Sequence, residues 1–316
     1  MLIPLGILAG AGGVPAILAG YFAGGAASDG GGGSTTVDKF AFPGDTRSTL
    51  ATGLGTNTAR IAAMANSNVA GYVGRENDSG NTDKFAFATD ARTTLGVGIE
   101  FGRSAYAAHA NSGVAGYFLG GRRGDTGVGT DRATKLTFAT DSTSNLTALE
   151  FPTRELAGMA NSGVAGYTGG GFRTDAGAQT TIVRKMAYPG DTNSTLGTGL
   201  SNATNWLGAM ANSGVAGYFG GGIDNATQRT TRVNKFTFPS DTQSVLGTGL
   251  SLGRFGLAGM AHSGTAGYFA GGSDVNSTIV STVDKFAFPS DTRTTLGTGL
   301  SSNRISISGM ASSGVL

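Results

Sequence analysis

The chain has 316 residues, of which 56 are glycine, more than twice the average share of about 7%. Charged residues make up 13% and the formal net charge is +2, which excludes disorder driven by charge repulsion and gives no indication of nucleic acid or an anionic membrane as a partner. Cysteine is absent, so a disulfide scaffold and a cysteine-ligated metal centre are excluded, and seven prolines are too few for collagen.

Residues 1–15 form an apolar peptide ahead of the repeated part of the chain. No Lys or Arg precedes the apolar stretch, and Pro4 and Pro15 interrupt it together with several glycines. A secretory signal and a membrane-spanning helix are therefore both disfavoured. We expect a peptide that attaches the protein to a partner or packs under its own domain, without membrane insertion.

The rest of the chain, residues 16–316, repeats with a period of about fifty residues. A Gly-Tyr pair, a lysine and an aspartate each recur six times. Repeats of this length indicate propellers or related arrays. The recurring residues are Tyr21, Tyr72, Tyr117, Tyr167, Tyr218 and Tyr268, then Lys39, Lys84, Lys135, Lys185, Lys235 and Lys285, and then Asp45, Asp90, Asp141, Asp191, Asp241 and Asp291.

Each repeat contains four short strand-like segments separated by turn signals, and no segment of useful length has helical periodicity. In the last repeat, Phe286 and Phe288 are two residues apart and so point to one face of a strand. We predict an all-β, six-bladed β-propeller with four strands per blade. One blade would be completed by pairing of residues 305–312 with residues 16–23, which leaves no exposed edge strand.

The pattern "GYFAGG", a polar gap, "VDKFAFPSDT", "TTLGTGL", an arginine and "AGMANSGVAGYF" resembles the kelch repeat over essentially residues 16–316. That resemblance implies the same propeller fold. Leucine replaces the kelch tryptophan, and Gly74-Arg75 replaces one Gly-Gly doublet. The near-identical copies, rich in Gly, Ala, Ser and Thr, are similar to kelch-type virion proteins of tailed phages, of the cyanophage type. The leucines are Leu50, Leu95, Leu146, Leu196, Leu246 and Leu296.

The connections between strands differ in how much they vary from copy to copy. First-to-second and third-to-fourth connections barely change, whereas second-to-third and fourth-to-first connections differ in length and content. In a four-stranded meander the two variable sets emerge on the same face, and rigidly held loops are common binding sites. We predict that this face binds a ligand, although relaxed constraint on exposed loops also explains the variation. The candidate binding residues are Asn77, Asp78, Arg122, Arg123, Asp125, Arg173, Asp175, Asn205, Trp206, Asp224, Asn225, Arg229, Asp274 and Asn276.

Several of the remaining residues have a structural interpretation. The recurring lysines are expected to pack their stems between blades and to pair their ammonium groups at the surface, and the recurring aspartates are expected to cap turns. Trp206, the single tryptophan, is expected either to contact a ligand or to pack over a blade edge. His109 and His262 lie in different columns of the repeat and form no metal pair, so no metal or other cofactor is expected.

No nucleophile elbow or triad is recognisable, and we predict a protein that is not an enzyme. Convergence of Glu76, Glu100, Glu150 and Glu155 in space stays open, as does the alternative of a glycan-active enzyme. The phage resemblance implies a virion structural and recognition protein, either a tail fibre, an appendage or a capsid decoration. It would bind a host surface glycan or another virion protein, attach through its N-terminal peptide, and be displayed in many copies or as a homo-oligomer. A secreted or cell-surface lectin is the other alternative.

Overall fold

The repeated segments fold into small antiparallel sheets. The computed structural model describes residues 18–76, 80–99 and 102–313, and these ranges contain 31 β-strands and no helix. The predicted all-β class is therefore confirmed. In chain order the first strands are β1 (Ala19–Ala23), β2 (Val37–Ala41), β3 (Thr46–Thr49), β4 (Ala63–Asn66), β5 (Ala70–Gly74), β6 (Asn81–Ala86), β7 (Ala91–Gly98), β8 (Ala107–Asn111), β9 (Ala115–Leu119), β10 (Ala133–Thr137) and β11 (Ser142–Leu146). Next come β12 (Thr153–Arg154), β13 (Ala157–Asn161), β14 (Ala165–Gly169), β15 (Phe172–Arg173), β16 (Ala178–Gln179), β17 (Val183–Ala187), β18 (Thr192–Thr195), β19 (Thr204–Asn205), β20 (Gly208–Asn212) and β21 (Ala216–Gly220). The last are β22 (Ile223–Asp224), β23 (Val233–Thr237), β24 (Thr242–Val245), β25 (Arg254–Phe255), β26 (Ala258–His262), β27 (Ala266–Ala270), β28 (Ser273–Asp274), β29 (Val283–Ala287), β30 (Thr292–Thr295) and β31 (Ser308–Ala311).

Six of the sheets in the described ranges have four strands, and we number them in chain order. Sheet 1 has the order β31-β1-β2-β3, sheet 2 β4-β5-β6-β7, sheet 3 β8-β9-β10-β11, sheet 4 β13-β14-β17-β18, sheet 5 β20-β21-β23-β24 and sheet 6 β26-β27-β29-β30. We call the strands of each sheet first to fourth in this order. Three smaller sheets, β12-β15-β16, β19-β22 and β25-β28, lie in the connections.

Sheet 1 joins the two ends of the described chain. Strand β31 pairs antiparallel with β1, so that Met310 lies opposite Tyr21, and Tyr21 in turn lies opposite Lys39 on β2. The predicted pairing between these two parts of the chain is present. The same Met-Tyr-Lys row crosses sheet 6, where Tyr268 lies between Met260 and Lys285.

The first strands of successive sheets contact one another: β4 with β8, β8 with β13, β13 with β20, β20 with β26, β26 with β31, and β31 with β4. Six four-stranded antiparallel sheets in this order are consistent with a propeller-like fold.

The hydrophobic core lies between neighbouring sheets. Gly20 on the second strand of sheet 1 lies against Met260 of sheet 6, so closely that a Cβ there would overlap the methionine sulfur. Glycine at this position therefore lets one sheet lie on the next. The six recurring leucines, from Leu50 to Leu296, are partly buried, and each packs against one of the core clusters.

The recurring tyrosine, lysine and aspartate meet at the junctions between sheets. At each junction the tyrosine hydroxyl and the lysine ammonium of one sheet donate to the two carboxylate oxygens of an aspartate in the next sheet. The aspartates have φ between 50° and 57°, which a short polar residue tolerates. The triads are Tyr21–Lys39–Asp90, Tyr72–Lys84–Asp141, Tyr117–Lys135–Asp191, Tyr167–Lys185–Asp241, Tyr218–Lys235–Asp291 and Tyr268–Lys285–Asp45.

The lysines are thus paired, as expected. The aspartates were expected only to cap turns, but their carboxylates also hold neighbouring sheets together. The tyrosine pKa values are raised above their ordinary value, mainly by burial.

Candidate functional site

The two sets of variable connections lie side by side. The connection that leads into the first strand of sheet 4, 5 or 6 pairs with the connection between the second and third strands of that sheet. The pairs are β12 with β15, β19 with β22 and β25 with β28. Ser104 and Arg122 form an equivalent bridge in sheet 3. We call the surface made by these connections the variable face.

A circle of backbone hydrogen bonds lies on the variable face. Six residues, one just before each first strand, each donate an N–H to the carbonyl oxygen of the preceding member in chain order, and the first donates to the last, with N···O distances of 2.7–2.9 Å. All six have φ between 51° and 65°. This mouth ring consists of Arg60, Ala105, Glu155, Trp206, Gly256 and Ser306.

The mouth ring surrounds a cavity of about 60 Å³, which has room for a few water molecules or one small functional group. The residue after each ring member is apolar and lines the same cavity. These apolar residues are Ile61, Tyr106, Leu156, Leu207, Leu257 and Ile307. The mouth of the cavity therefore has an apolar floor and a rim of six residues that all differ in identity.

Glu155 is the carboxylate of the mouth ring and is 6% exposed. Its Oε1 accepts a hydrogen bond from Arg154 at 2.7 Å, and its Oε2 accepts one from Asn205 Nδ2 at 2.6 Å. Gln179 Nε2 donates to Asn205 Oδ1 at 2.9 Å. Burial raises the Glu155 pKa, against the opposing effects of Arg154 and Asn205. The network holds the carboxylate in one orientation beside the cavity.

Arg60 and Trp206 lie three positions apart in the mouth ring and so face each other across it. Trp206 is half-buried and packs against the small apolar cluster that contains Phe255 and Ile305. Both expectations for Trp206 are thus compatible with its position, since it packs on the sheet ends and also lines the cavity. Arg60 is half-buried, and its charge opposes the rise that burial causes in the pKa of Glu76.

Two arginine–aspartate pairs are closed within single loops. Arg123 donates to Asp125 at 2.5 Å, and Arg173 donates to Asp175 at 2.6 Å. The Arg173 guanidinium also lies 3.6 Å from the centre of the Phe151 ring. In each pair the predicted binding residues therefore form a hydrogen-bonded ion pair with each other.

Asp224 and Asp274 act as loop caps. Each accepts two backbone N–H bonds at 2.9–3.0 Å from its own loop, and in the second loop one of these donors is Asn276. The backbone N–H of Asn225 donates to Ala203 O at 3.2 Å. Asp224, Asn225, Asp274 and Asn276 thus form hydrogen bonds that fix the shape of the loops on the variable face.

The remaining predicted residues divide into three groups. Arg229 donates to Ser277 at 3.0 Å and Arg122 donates through Nε to Gly127 O at 2.8 Å. Asn205 and Trp206 are the two that reach the mouth ring. Asn77 and Asp78 lie outside the described residues, as does the apolar peptide 1–15.

Sequence spacing alone did not identify the mouth ring, because the arginine of the repeat pattern does not occupy the same structural position in every copy. Arg103, Arg254 and Arg304 are buried and bond within their own sheets, with Arg254 reaching Asp284 at 2.7 Å. Arg60 lies two positions further along its repeat, at the position of Glu155. A column of six unlike residues before the first strand was the signal that could have revealed the ring.

The carboxylates considered for catalysis do not all meet. Glu155 lies at the mouth. Glu76 lies close to Arg60 and Ser104, and burial raises its pKa against the opposing effect of these two residues. Glu150 lines a different groove, between sheets 3 and 4, and Glu100 lies outside the described residues.

The two histidines are separate from each other and from the mouth. His109 is buried, with Nδ1 2.7 Å from the Tyr188 hydroxyl, and His262 stacks on Phe42. In the part of the chain that the structure describes, no three His, Asp or Glu side chains are grouped to hold a metal ion.

Comparison with known proteins adds no family to these observations. No protein-family model matches the chain, and no curated protein matches it. Among the residues described here, there is no helix of the length and hydropathy needed to cross a membrane.

Proposed function

We propose that the chain is a closed six-bladed propeller that serves as a rigid, non-enzymatic recognition module and binds its ligand at the mouth ring. One observation carries this proposal. The six copies of a single backbone position, joined by one circle of hydrogen bonds, bear Arg60, Ala105, Glu155, Trp206, Gly256 and Ser306, while the surrounding repeats are nearly identical. A scaffold of like units with unlike side chains at one mouth is suited to binding one asymmetric ligand.

Closure of the ring is supported by the junction between sheets 6 and 1. There Tyr268 donates to Asp45 at 2.7 Å and Lys285 to the same carboxylate at 2.5 Å, with the geometry of the internal junctions. Closure would hold the six members of the mouth ring at fixed distances, which lowers the conformational cost of binding.

We further propose that the protein belongs to the surface of a tailed-phage virion, where it contacts a host glycan or another virion protein. The support is the kelch-like repeat and the low-charge composition rich in Gly, Ala, Ser and Thr. Residues 1–15 would attach it, and display in many copies would raise weak affinities. Antibody against the variable face should label phage particles, and label confined to cells or medium would contradict the virion assignment.

The mouth is tested by binding of host-surface glycans to purified protein, measured by isothermal titration calorimetry, which does not depend on the single tryptophan. We expect Arg60→Gln and Trp206→Leu to weaken binding roughly tenfold or more, since each removes one side of the rim. Arg123→Gln is the matched control, because Arg123 is closed on its own loop, and it should bind as the unaltered protein does.

Two outcomes contradict the proposal. One is binding that is indifferent to both rim substitutions. The other is release of glycan fragments on prolonged incubation that is lost in Glu155→Gln, which would establish the enzyme alternative instead.

A further inference from the structure

The junction between sheets 3 and 4 departs from the other junctions in three residues at once. In sheet 5, Asn234 accepts from the backbone N–H of Ser201 at 2.9 Å and from Gln243 Nε2 at 2.8 Å. In sheet 6, Asp284 holds the same place and accepts from the backbone N–H of Ser251 at 3.0 Å. The third strand therefore normally supplies an acceptor here.

Sheet 4 supplies a donor instead. Arg184 replaces the acceptor, Asn193 takes the position of Gln243, and Glu150 of sheet 3 takes the position of Ser201. Charge and hydrogen-bonding polarity are thus reversed at this junction.

The reversal leaves donors without acceptors. Arg184 is 2% exposed, and its one hydrogen bond within the described residues is a long one, from Nη2 to Thr153 Oγ1 at 3.4 Å. Its Nε and Nη1, and Nδ2 of Asn193, are buried without a partner. Burial lowers the Arg184 pKa, and Glu150 acts in the opposite direction from beyond ion-pair distance. Buried unpaired donors are costly, so each such group calls for a ligand or an explanation.

The same junction contains a groove. Only two residues separate Leu146 from Leu149, whereas three separate Leu196 from Leu200. The resulting groove of about 650 Å³ lies in the range of small-molecule sites. Arg184, Asn193 and Glu150 line it. Asp191 also lines it, but both oxygens of its carboxylate already accept hydrogen bonds, from Tyr117 and Lys135. The rest of the lining consists of Ala148, Gly190 and the hydroxyl-bearing residues Thr147, Thr192, Ser194 and Thr195.

We propose that this groove binds a singly charged, carboxylate-bearing saccharide, such as a uronic acid residue, whose carboxylate accepts from Arg184 and Asn193. Arg184 is the cation, and Glu150 disfavours ligands with more than one negative charge. Glu150 Oε2 already accepts from Thr195 at 2.8 Å and is placed to accept from a sugar hydroxyl as well. The groove shares no lining residue with the mouth ring, so it is a separate site that does not depend on the function proposed there.

The chain itself offers a matched variant. Glu150→Ser, Arg184→Asn and Asn193→Gln together give the site the residues of sheet 5, where Asn234 accepts from the backbone N–H of Ser201 and from the side chain of Gln243. Titration of galacturonate, followed by NMR or calorimetry, should saturate with the unaltered protein, and the triple variant should bind it at least roughly tenfold more weakly. Galactose, which lacks the carboxylate, should not saturate either protein.

A second variant keeps the test independent of folding. Asn193→Asp places a carboxylate beside Arg184, so it should abolish galacturonate binding while raising the free energy of unfolding. If Arg184 had only a structural role, Asn193→Asp would raise the free energy of unfolding without any loss of galacturonate binding.

The proposal is overturned if galacturonate binds the triple variant as tightly as the unaltered protein, or if it does not saturate the unaltered protein. It is also overturned if acetate or inorganic phosphate competes equally well, which would make this a nonspecific anion site. Trp206→Leu should leave galacturonate binding unchanged, which separates this site from the mouth.

Discussion

Substitution of Asp45 tests whether the junction between sheets 6 and 1 forms in solution. Its carboxylate accepts from Tyr268 and Lys285, more than two hundred residues away in the chain. Asp241 is the matched internal position, with Tyr167 and Lys185 as donors at 2.7 and 2.6 Å. Both aspartates have a φ of 56°, so one substitution imposes the same backbone cost at either site.

The expected cost of Asp45→Ala has three parts. Loss of a charged acceptor from the buried Tyr268 hydroxyl costs about 1.5–3 kcal/mol. The lysine is 22% exposed, so its ion pair contributes less than about 1 kcal/mol. Alanine at positive φ adds roughly 1 kcal/mol. We expect a loss of about 3 kcal/mol, whereas Asp45→Asn, which tolerates the backbone and keeps an acceptor, should cost about 1 kcal/mol.

The measurement is denaturant unfolding followed by circular dichroism and by Trp206 fluorescence, with a thermal scan in parallel. At this chain length, 3 kcal/mol corresponds to a fall in Tm of about 4 °C. If the ring is closed, Asp45→Ala and Asp241→Ala destabilise the protein equally. If Asp241→Ala is costly and Asp45→Ala is neutral, the sheet 6 to sheet 1 junction does not form in solution and the closure proposal fails.

Three further predictions use the same unfolding assay. Burial lowers the His109 pKa to about 3, so the unfolded state takes up the proton first, and the free energy of unfolding should fall by up to about 1.4 kcal/mol per pH unit as the pH drops from about 6.5 towards 3. His109→Met with Tyr188→Phe restores the pair common in the other sheets and should remove that component, and an unchanged pH dependence would contradict it. Arg254→Thr should cost about 3 kcal/mol because the buried Asp284 carboxylate loses its ion pair at 2.7 Å and keeps the more distant Arg293 at 3.9 Å in its place, and adding Asp284→Asn, as in sheet 5, should recover most of the loss. Gly259→Ala should cost about 2 kcal/mol, because its Cβ would overlap a carbonyl oxygen of the neighbouring first strand.

The fold class was predictable because its determinants are local and repeated. Alternation and turn residues define each strand, and the register of Tyr21 with Lys39 recurs in every copy. The pairing of β31 with β1 was predictable too, since the first and second strands of sheet 1 stand at opposite ends of the repeated region. The resemblance to kelch repeats and to virion proteins stays a prediction.

The candidate site was predictable only in part, because its geometry depends on contacts between repeats. The variable loops indicated a face, and Trp206 and Asn205 do lie at the mouth. Loop variability alone did not separate them from Asp224, which caps its own loop. Nor did spacing place Arg60 with Glu155. The two residues share a left-handed backbone conformation, but among the six ring members only Gly256 is a glycine, so the sequence does not mark that conformation in the other copies.

Because the repeats are nearly identical, each residue that departs from the repeat pattern can be checked for a second change nearby that compensates for it. His109 replaces a methionine of the repeat, but Tyr188 replaces the facing phenylalanine and the two form a hydrogen bond at 2.7 Å, so the exchange conserves packing and satisfies the polar group on that side. Arg184 replaces an acceptor, and no neighbouring change provides a carboxylate within ion-pair distance of it. The Arg184 guanidinium lies 5.8 Å from the centre of the Phe151 ring, but no carboxylate pairs with it. A buried charge without an ion-pair partner lowers stability, so its presence is better explained by a ligand than by the fold. By this reasoning the junction between sheets 3 and 4, together with the mouth ring, is where ligands should be sought.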